Sequence, residues 1–342
     1  MTRPRLLSAL VGSLWAAAAC GSGSIPAGTD VGVEVLAVAP FIKYDAAPDD
    51  ANLFGVQAVV HFAPFGESYG DPAIVEVGRE FRLYYAVNGA RIELATSADG
   101  ITWTITGGVL EATEAWEGGR VSGPAIIRRG AEFLLYYEGG DGAGIGLATS
   151  SDGVNFVKSA ANPLLAPAAA WEQGRIGDPS VAFDFDGGLQ MVFDGAGGRG
   201  LGAARSIDGV AWDRIDALPA TPEVDPVIAP GGAESFDRDR VADPSLLIED
   251  AGLGRPVWRV WYTGEAGGNA SPGVAASFNG AGYEKYPSNP VLDEVLLGGN
   301  GVDESEPSVL RRPGATAASM YYVQTLGFAQ GIALALLFPG GP

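Results

Sequence analysis

Five short segments of the chain share one pattern, in which a small or acidic residue precedes a proline that opens an apolar run. They read Gly70-Asp71-Pro72-Ala73-Ile74, Ser122-Gly123-Pro124-Ala125-Ile126, Gly177-Asp178-Pro179-Ser180-Val181, Ala242-Asp243-Pro244-Ser245-Leu246 and Ser305-Glu306-Pro307-Ser308-Val309. Proline is tolerated at the first residue of a strand, where no ladder hydrogen bond is needed from its nitrogen. The five prolines lie 52 to 65 residues apart, a period typical of propeller blades. The pattern predicts an all-β, five-bladed β-propeller.

Each repeat also contains strand signals and a recurring turn. In the first repeat, FRLYYAV (81–87) and RIELATS (91–97) are rich in β-branched and aromatic residues, as strands are. The turn S-x-[D/N]-G-x-x-aromatic follows, starting at Ser97, Ser150, Ser206 and Ser277. It is similar to the Asp-box of sialidases, but Asp-Gly and Asn-Gly favour a tight hairpin, and we interpret it as structural. Residues 33–42 are expected to add an outer strand to the last blade and close the ring.

The first twenty residues, MTRPRLLSALVGSLWAAAAC, combine two arginines, a short apolar stretch and a run of small residues. This composition is typical of a secretory signal peptide. The end of the run resembles a bacterial lipobox, which implies cleavage before Cys20 and lipidation of its thiol; the alternative is an ordinary signal peptide with a chance cysteine. We therefore predict a signal peptide at 1–19, a lipidated Cys20 with a flexible linker at 20–34, and the propeller at 35–342. The protein is expected to be an exported lipoprotein of the cell envelope, in the outer membrane, that contacts the membrane only through its lipid.

The charge and composition exclude several classes of function. The formal net charge is -20, with 41 acidic and 21 basic residues, so the surface repels nucleic acid phosphates and anionic membranes. One His and one Cys are too few for a zinc site. Carboxylates are the abundant reactive groups, and we expect a monomer without a cofactor. A structural Ca²⁺ held by a carboxylate ring is the alternative.

The residues just before the five prolines are the candidate functional residues. In a propeller the innermost strands begin around one central funnel, so these positions face a shared space. Four of them are acidic, namely Asp71, Asp178, Asp243 and Glu306, while the second blade has Gly123. Mutual repulsion should raise the pKa of at least one carboxyl, as a general acid requires. Glycoside hydrolysis uses such a carboxyl pair.

The Asp-Pro strand starts, the Tyr-Tyr strands and the S-x-D-G-x-x-W turns resemble the five-bladed glycosidases: the arabinanase and xylosidase family 43, the invertase and levanase family 32, and the mannoside phosphorylase family 130. The likeness covers roughly residues 60–338. It implies that Asp71 is the general base and that Asp178 orients and tunes the acid. Family 43 has a Glu acid in the fourth blade, where this chain has Asp243, and Glu306 lies one blade later. The WMNDPNG motif of family 32 is absent.

Two further columns of residues recur before the prolines. Aromatic rings lie eight residues before the proline, and arginines lie four before it. The aromatic column is Trp116, Trp171 and Phe236, and the arginine column is Arg120, Arg175 and Arg240. Aromatic faces bind sugar rings and guanidinium groups bind hydroxyls or carboxylates, so both columns are candidate substrate-binding residues. The alternatives are that the aromatics pack against the blades, which we favour for them, and that the arginines pair with Asp178 and Asp243.

Three functions follow as hypotheses, in order of preference. The first is a glycosidase or glycan phosphorylase with an inverting carboxylate mechanism, in which Asp71 activates water and Glu306 or Asp243 protonates the leaving oxygen. The second is a non-catalytic propeller that binds glycan or protein at the cell surface. The third is a structural lipoprotein with a bound cation.

Overall fold

The computed structural model describes residues 41–43, 52–53, 56–57, 63, 66–250, 254–292, 303–312, 317–326 and 329–337. The predicted signal peptide, Cys20 and the predicted linker lie outside these residues. The described residues form the following strands: β1 Ile42–Lys43, β2 Asn52–Leu53, β3 Val56–Gln57, β4 Tyr69–Val77, β5 Glu80–Val87, β6 Arg91–Ser97, β7 Thr104–Glu111, β8 Val121–Arg129, β9 Glu132–Gly139, β10 Gly144–Ser150, β11 Val157–Lys158, β12 Ile176–Phe183, β13 Leu189–Gly195, β14 Gly200–Ser206, β15 Asp213–Ile215, β16 Arg240–Asp250, β17 Pro256–Ala266, β18 Asn269–Ser277, β19 Glu284–Lys285, β20 Asp303–Leu310, β21 Ala318–Leu326 and β22 Ala329–Leu337.

The strands form five antiparallel sheets of four strands each, and the predicted five-bladed β-propeller is confirmed. Four blades are consecutive meanders, β4–β7, β8–β11, β12–β15 and β16–β19. The fifth has the order β1-β22-β21-β20, so β1 adds the outer strand that closes the ring, with Ile42 opposite Leu336. Of the segment 33–42 that was predicted for this role, residues 33–40 lie outside the described residues. Lys43 of β1 also forms an ion pair with the buried Glu304 of β20. A separate β2–β3 hairpin lies outside the blades.

The core lies between the blades. Among the described residues, five large apolar clusters each combine side chains of two neighbouring blades. Tyr136 of the second blade and Met191 of the third, for example, share one cluster and are fully buried. Because each blade is covered on both faces, its middle strands are buried without alternation: β13 is buried at every residue. This explains the continuous apolar runs of the sequence.

The S-x-[D/N]-G turns are structural hairpins that join neighbouring blades. In the first copy Ser97 Oγ accepts the Asp99 and Gly100 N–H groups. Asp99 Oδ1 accepts the N–H groups of Ile101 and Thr102. The Gly100 carbonyl accepts a hydrogen bond from the Tyr321 hydroxyl of the fifth blade at 2.8 Å. The hydroxyls of Tyr84 and Tyr136 reach the equivalent carbonyls of the second and third blades. These turns follow the third strand of each blade and therefore lie at the end opposite the prolines.

Buried acidic residues fasten the outer strands. Glu117, Glu172 and Asp237 directly follow the aromatic column, and each is fully buried. They pair with Lys158, Arg214 and Lys285, which lie on the outer strands β11, β15 and β19. Glu117 also accepts the Thr113 and Glu114 N–H groups and the Tyr137 hydroxyl. A buried ion pair needs such additional hydrogen bonds to offset its desolvation.

The described residues contain two short 3₁₀ helices, Ala115–Glu117 and Ala170–Glu172. Neither these nor any other helix in the described ranges has the length and apolarity that a membrane span requires.

Candidate functional site

The residue before each of the five prolines adopts an unusual backbone conformation. Its φ is positive in every blade: 51° at Asp71, 52° at Gly123, 42° at Asp178, 51° at Asp243 and 55° at Glu306. The pairing with the second strand shifts register at the same point in each blade, which defines a β-bulge. Bulges re-aim side chains, and a positive φ in a non-glycine residue costs about 1–3 kcal/mol. The fold therefore sustains strain at four acidic positions.

These five residues and their prolines line one cavity on the propeller axis. The structure thus brings together all five positions that the sequence singled out. The cavity has a volume of about 30 Å³, enough for about two water molecules. The cavity is therefore too small to enclose a ligand the size of a sugar ring.

Hydrogen bonds connect the carboxylates to the neighbouring blades around the ring. The Asp71 N–H donates to Glu306 Oε2 at 2.6 Å, and the Gly123 N–H donates to Asp71 Oδ2 at 3.0 Å. The Asp178 N–H donates to Glu138 Oε2 at 3.3 Å. Three of the five bulges therefore present a backbone donor to an acid of the preceding blade. The Glu306 N–H instead donates to the Thr263 hydroxyl oxygen at 2.8 Å.

Two acidic residues that the sequence analysis missed belong to this site. Glu138 of β9 pairs with Ser122, and Asp194 of β13 pairs with Gly177, so both lie beside a bulge on the second strand of their blade. A Cβ on Gly177 would collide with the Glu138 carboxylate, which explains the glycine there. The signal was present as an acid-Gly pair that ends the second strand, YYEG in one blade and VFDG in the next.

Burial is the main cause of perturbed pKa values in the carboxylate ring, by which we mean the acidic bulge residues together with Glu138 and Asp194. Desolvation raises the pKa of Asp71 to about 6, although the Gly123 N–H opposes this change. It raises the pKa of Glu138 to about 8 and that of Asp194 to about 7, with further contributions from neighbouring carboxylates. The pKa values of Asp178 and Glu306 are raised well above the usual range for the same reasons. Repulsion between the carboxylates, which the sequence predicted as the cause, acts in the same direction but is smaller than the effect of burial.

The arginines of the column do not share one kind of partner. Arg240 Nη2 donates to Asp243 Oδ1 at 3.2 Å, as one interpretation of the sequence proposed. Arg175 does not pair with Asp178, so that part of the interpretation is wrong: its Nη2 donates to the exposed Asp141 on the β9–β10 hairpin, at 3.0 Å. The bulge turns Asp178 toward the axis, while Arg175 lies across the hairpin.

The aromatic column packs within the blades. Trp116 lies against Gly139 and Gly146, and its ring centroid is 5.8 Å from that of Tyr137. Trp171 contacts Gly195 and Gly202 in the same way and stacks on Phe193 at 6.5 Å. The third ring of the column, Phe236, contacts Gly264 and Gly273. The rings fill space left by glycines, so packing accounts for their position, and none of them lines the axial cavity.

One group of acids has the spacing of a cation site. Asp178, Asp194 and Asp243 each offer an oxygen, and the three atoms lie within 4.8 Å of one another. Carboxylate oxygens are ligands that Ca²⁺ accepts. Arg240 already contributes a positive charge here through its contact with Asp243.

Comparison with known proteins identifies the architecture. No protein-family model matches this sequence, and no curated protein sequence matches it. Solved structures do match: a thermostable family-43 glycoside hydrolase shares 18% identity, with a TM-score of 0.62 over 83% of this chain and 94% of the other. An endo-arabinase from Bacteroides thetaiotaomicron shares 15% identity, with a TM-score of 0.58 over 80% and 95%. A family-32 β-fructofuranosidase from Bombyx mori shares 16%, with a TM-score of 0.56 over 82% and 62%.

The chain is therefore a five-bladed β-propeller with the architecture of glycoside hydrolases from families 43 and 32. At these identities the similarity is one of fold, and function has to be argued from the site itself.

Proposed function

We propose that this protein is a glycoside hydrolase that acts on a glycan held at the mouth of the axial cavity. The observation that carries the proposal is the convergence of four acidic residues, from four blades, on one cavity at strained β-bulges. A fold does not keep strain and buried acids in one place for stability, since both cost free energy.

Asp71 and Glu306 are the proposed general base and general acid. Asp71 has a pKa of about 6 and is ionised at neutral pH, so it can take a proton from water. Glu306 has a pKa raised well above the usual range by burial and by the neighbouring Asp71 and Asp243, which favours the protonated form that a donor to the leaving oxygen requires. Asp243 is the less suitable acid because its Oδ1 is engaged by Arg240.

In this mechanism the water oxygen forms a bond to the anomeric carbon while the glycosidic C–O bond breaks. The water proton goes to Asp71, and the Glu306 proton goes to the leaving group. Asp71 then loses its proton to solvent and Glu306 takes one up, which restores the starting protonation state of both carboxyls. Direct attack by water inverts the anomeric configuration. Asp178 and Glu138, connected by a hydrogen bond, would tune the electrostatics of the pair.

The test is hydrolysis of arabinan, xylan, fructan and mannoside substrates by the wild-type protein and by Asp71→Asn. We expect turnover of one substrate class, its loss by at least about a hundredfold in Asp71→Asn, and release of the inverted anomer in the proton NMR spectrum. Asp213→Asn is the matched control, because Asp213 is an exposed aspartate on an outer strand. Equal turnover by wild type and Asp71→Asn would rule out the assigned base.

A non-catalytic glycan-binding propeller is the second candidate. It is favoured by the fourth blade, where an ion-paired aspartate occupies the ring position. Glycan binding without turnover, unchanged in Asp71→Asn, would support this candidate over the hydrolase.

We further propose that the propeller is exported and attached to the outer membrane through Cys20. The support is the sequence of residues 1–20, which has the charge and apolar pattern of a secretory signal.

A further inference from the structure

We propose that the glycan recognised at this site is acidic, with uronic acid carboxylates bound by an arc of arginines at the cavity mouth. This inference rests on the proposed function, since it names the substrate class of the same site. The arc consists of Arg120, Arg175 and Arg240, which stand directly before or at the start of β8, β12 and β16.

The structure holds the three arginines in equivalent positions. Each lies three residues before the bulge residue of its blade, which corresponds to roughly 10 Å along the strand. Each arginine therefore stands at the rim of the cavity, above the acids. Each side chain crosses the hairpin of the preceding blade at a glycine: Arg120 at Gly89, Arg175 at Gly142 and Arg240 at Gly198. All three glycines have positive φ. A side chain there would collide with the arginine, so the hairpins leave room for the arc.

The backbone of the arc is anchored as well. The Arg120 carbonyl accepts the Gly140 N–H at 3.2 Å, and the Arg175 carbonyl accepts the Ala196 N–H at 3.0 Å. The guanidinium groups therefore project from rigid strand ends rather than from a long loop. Such preorganised donors lose less entropy when a ligand binds.

Two of the three guanidinium groups are available to a ligand. Arg120 is exposed and forms no ion pair with another described residue. Arg175 is 53% exposed, and its partner Asp141 is 63% exposed. An exposed pair of this kind contributes little to stability, so a ligand can replace Asp141 easily. The chain has 41 acidic and 21 basic residues, so acidic partners for a surface arginine are abundant. The lack of an ion pair at Arg120 within the described part of the chain is therefore not explained by a shortage of acidic side chains.

The chemistry of the ligand follows from this arrangement. A guanidinium group matches a planar carboxylate with two parallel hydrogen bonds, which a sugar hydroxyl cannot accept. The acids of the ring repel an anionic substituent, whereas the rim attracts it. A uronic acid carboxylate would therefore bind at the rim and direct the neutral glycosidic oxygen toward Asp71 and Glu306.

The experiment compares binding of each acidic polymer with that of the same polymer after reduction of its carboxyls to alcohols. The probes are polygalacturonate, glucuronoxylan and alginate, measured by isothermal titration calorimetry with the full chain. We expect at least one acidic polymer to bind about tenfold or more tightly than its reduced form. Arg120→Ala and Arg175→Ala should each lower that preference, and the double variant should abolish it.

Two further variants make the test specific. Arg120→Lys keeps the charge but not the paired donors, so it should recover only part of the preference. Arg79→Ala is the matched control, because Arg79 is an exposed arginine at the opposite end of the first blade and its loss should change nothing. Dextran sulfate tests simple charge attraction and should bind no more tightly than the reduced polymers.

Three results with the uronic acid polymers would overturn the inference: no binding of any acidic polymer, equal affinity for acidic and reduced forms, or a preference that survives the double variant. Binding of dextran sulfate as tight as that of the polyuronides would also do so. The proposed hydrolase activity is tested separately. Turnover of a neutral glycan that depends on Asp71 would contradict only the proposed acidic substrate. Carboxylate-dependent binding without turnover would contradict only the proposed hydrolase activity.

Discussion

Replacement of Gly123 by alanine would test whether the carboxylate ring has room for a fifth side chain. A Cβ at this position would lie 2.7 Å from Asp178 Oδ1, and 3.0 and 3.2 Å from the Asp178 Cα and N atoms. The carboxylate can rotate, but the backbone atoms belong to a β-bulge of the next blade and cannot move away alone. The φ of 52° costs alanine about 1–2 kcal/mol, and overpacking adds about 1–3 kcal/mol. We expect a loss of about 2–5 kcal/mol in the free energy of unfolding.

Gly130→Ala is the control that isolates the collision. Gly130 has a φ of 65°, but a Cβ there would meet no atom within 4 Å, so only the cost of the backbone conformation of about 1–2 kcal/mol applies. Urea denaturation followed by tryptophan fluorescence gives both free energies. Gly123→Ala should lower the free energy of unfolding by about 1–3 kcal/mol more than Gly130→Ala does. Equal losses would show that Asp178 does not occupy this space, and the described ring geometry would be wrong.

Three more predictions concern pH, a buried ion pair and the anchor. Burial raises the pKa of Glu138 to about 8 and that of Asp71 to about 6. The folded state therefore binds more protons than the unfolded state above the ordinary carboxyl range, and the melting temperature should fall as pH rises from about 5 to about 8. Glu138→Gln should flatten that dependence. Glu117→Gln removes the buried counter-charge of the half-buried Lys158 and should lower the free energy of unfolding by about 3–5 kcal/mol in urea titrations. Cys20→Ser should move the protein from the detergent phase to the aqueous phase in Triton X-114 partitioning of cells.

Each of these predictions has a comparison that makes it decisive. Glu132→Gln removes the acid of an exposed pair with Arg129 and should cost no more than about 1 kcal/mol, so a similar loss in Glu117→Gln would contradict the role of burial. A melting temperature that rises with pH over the same range would contradict the raised pKa values. Detergent partitioning of Cys20→Ser unchanged from wild type would exclude lipidation.

Repetition explains why much of the site could be predicted from the sequence. Because blades are related by rotation about one axis, residues at equal positions in the repeat point at one place. Asp71, Asp178, Asp243 and Glu306 were found in this way, and they line the axial cavity. The S-x-D-G turns were also interpretable, since their hydrogen bonds run between the side chains and backbone of one short segment.

Contacts between blades were not predictable in the same way. Glu138 reaches the N–H of Asp178 across the boundary of two blades, and this depends on the bulge at Asp178 and on the space left by Gly177. The partner of Arg175 was missed for a related reason. The chain spacing places Arg175 close to Asp178, yet the positive φ at Asp178 turns that side chain away, and Asp141 on a hairpin takes its place.

The amino-acid sequence by itself determined the number of blades, the position of their first strands and the identity of four acids that face the axis. These properties follow from local patterns repeated along the chain, in which proline, Asp-Gly and apolar runs act within a few residues. Only the tertiary structure decided which acids accept a hydrogen bond from a neighbouring blade, which arginines remain exposed and where the aromatic rings pack. Those outcomes depend on distances between blades that no single repeat contains, because burial and electrostatic coupling arise only after the ring has closed.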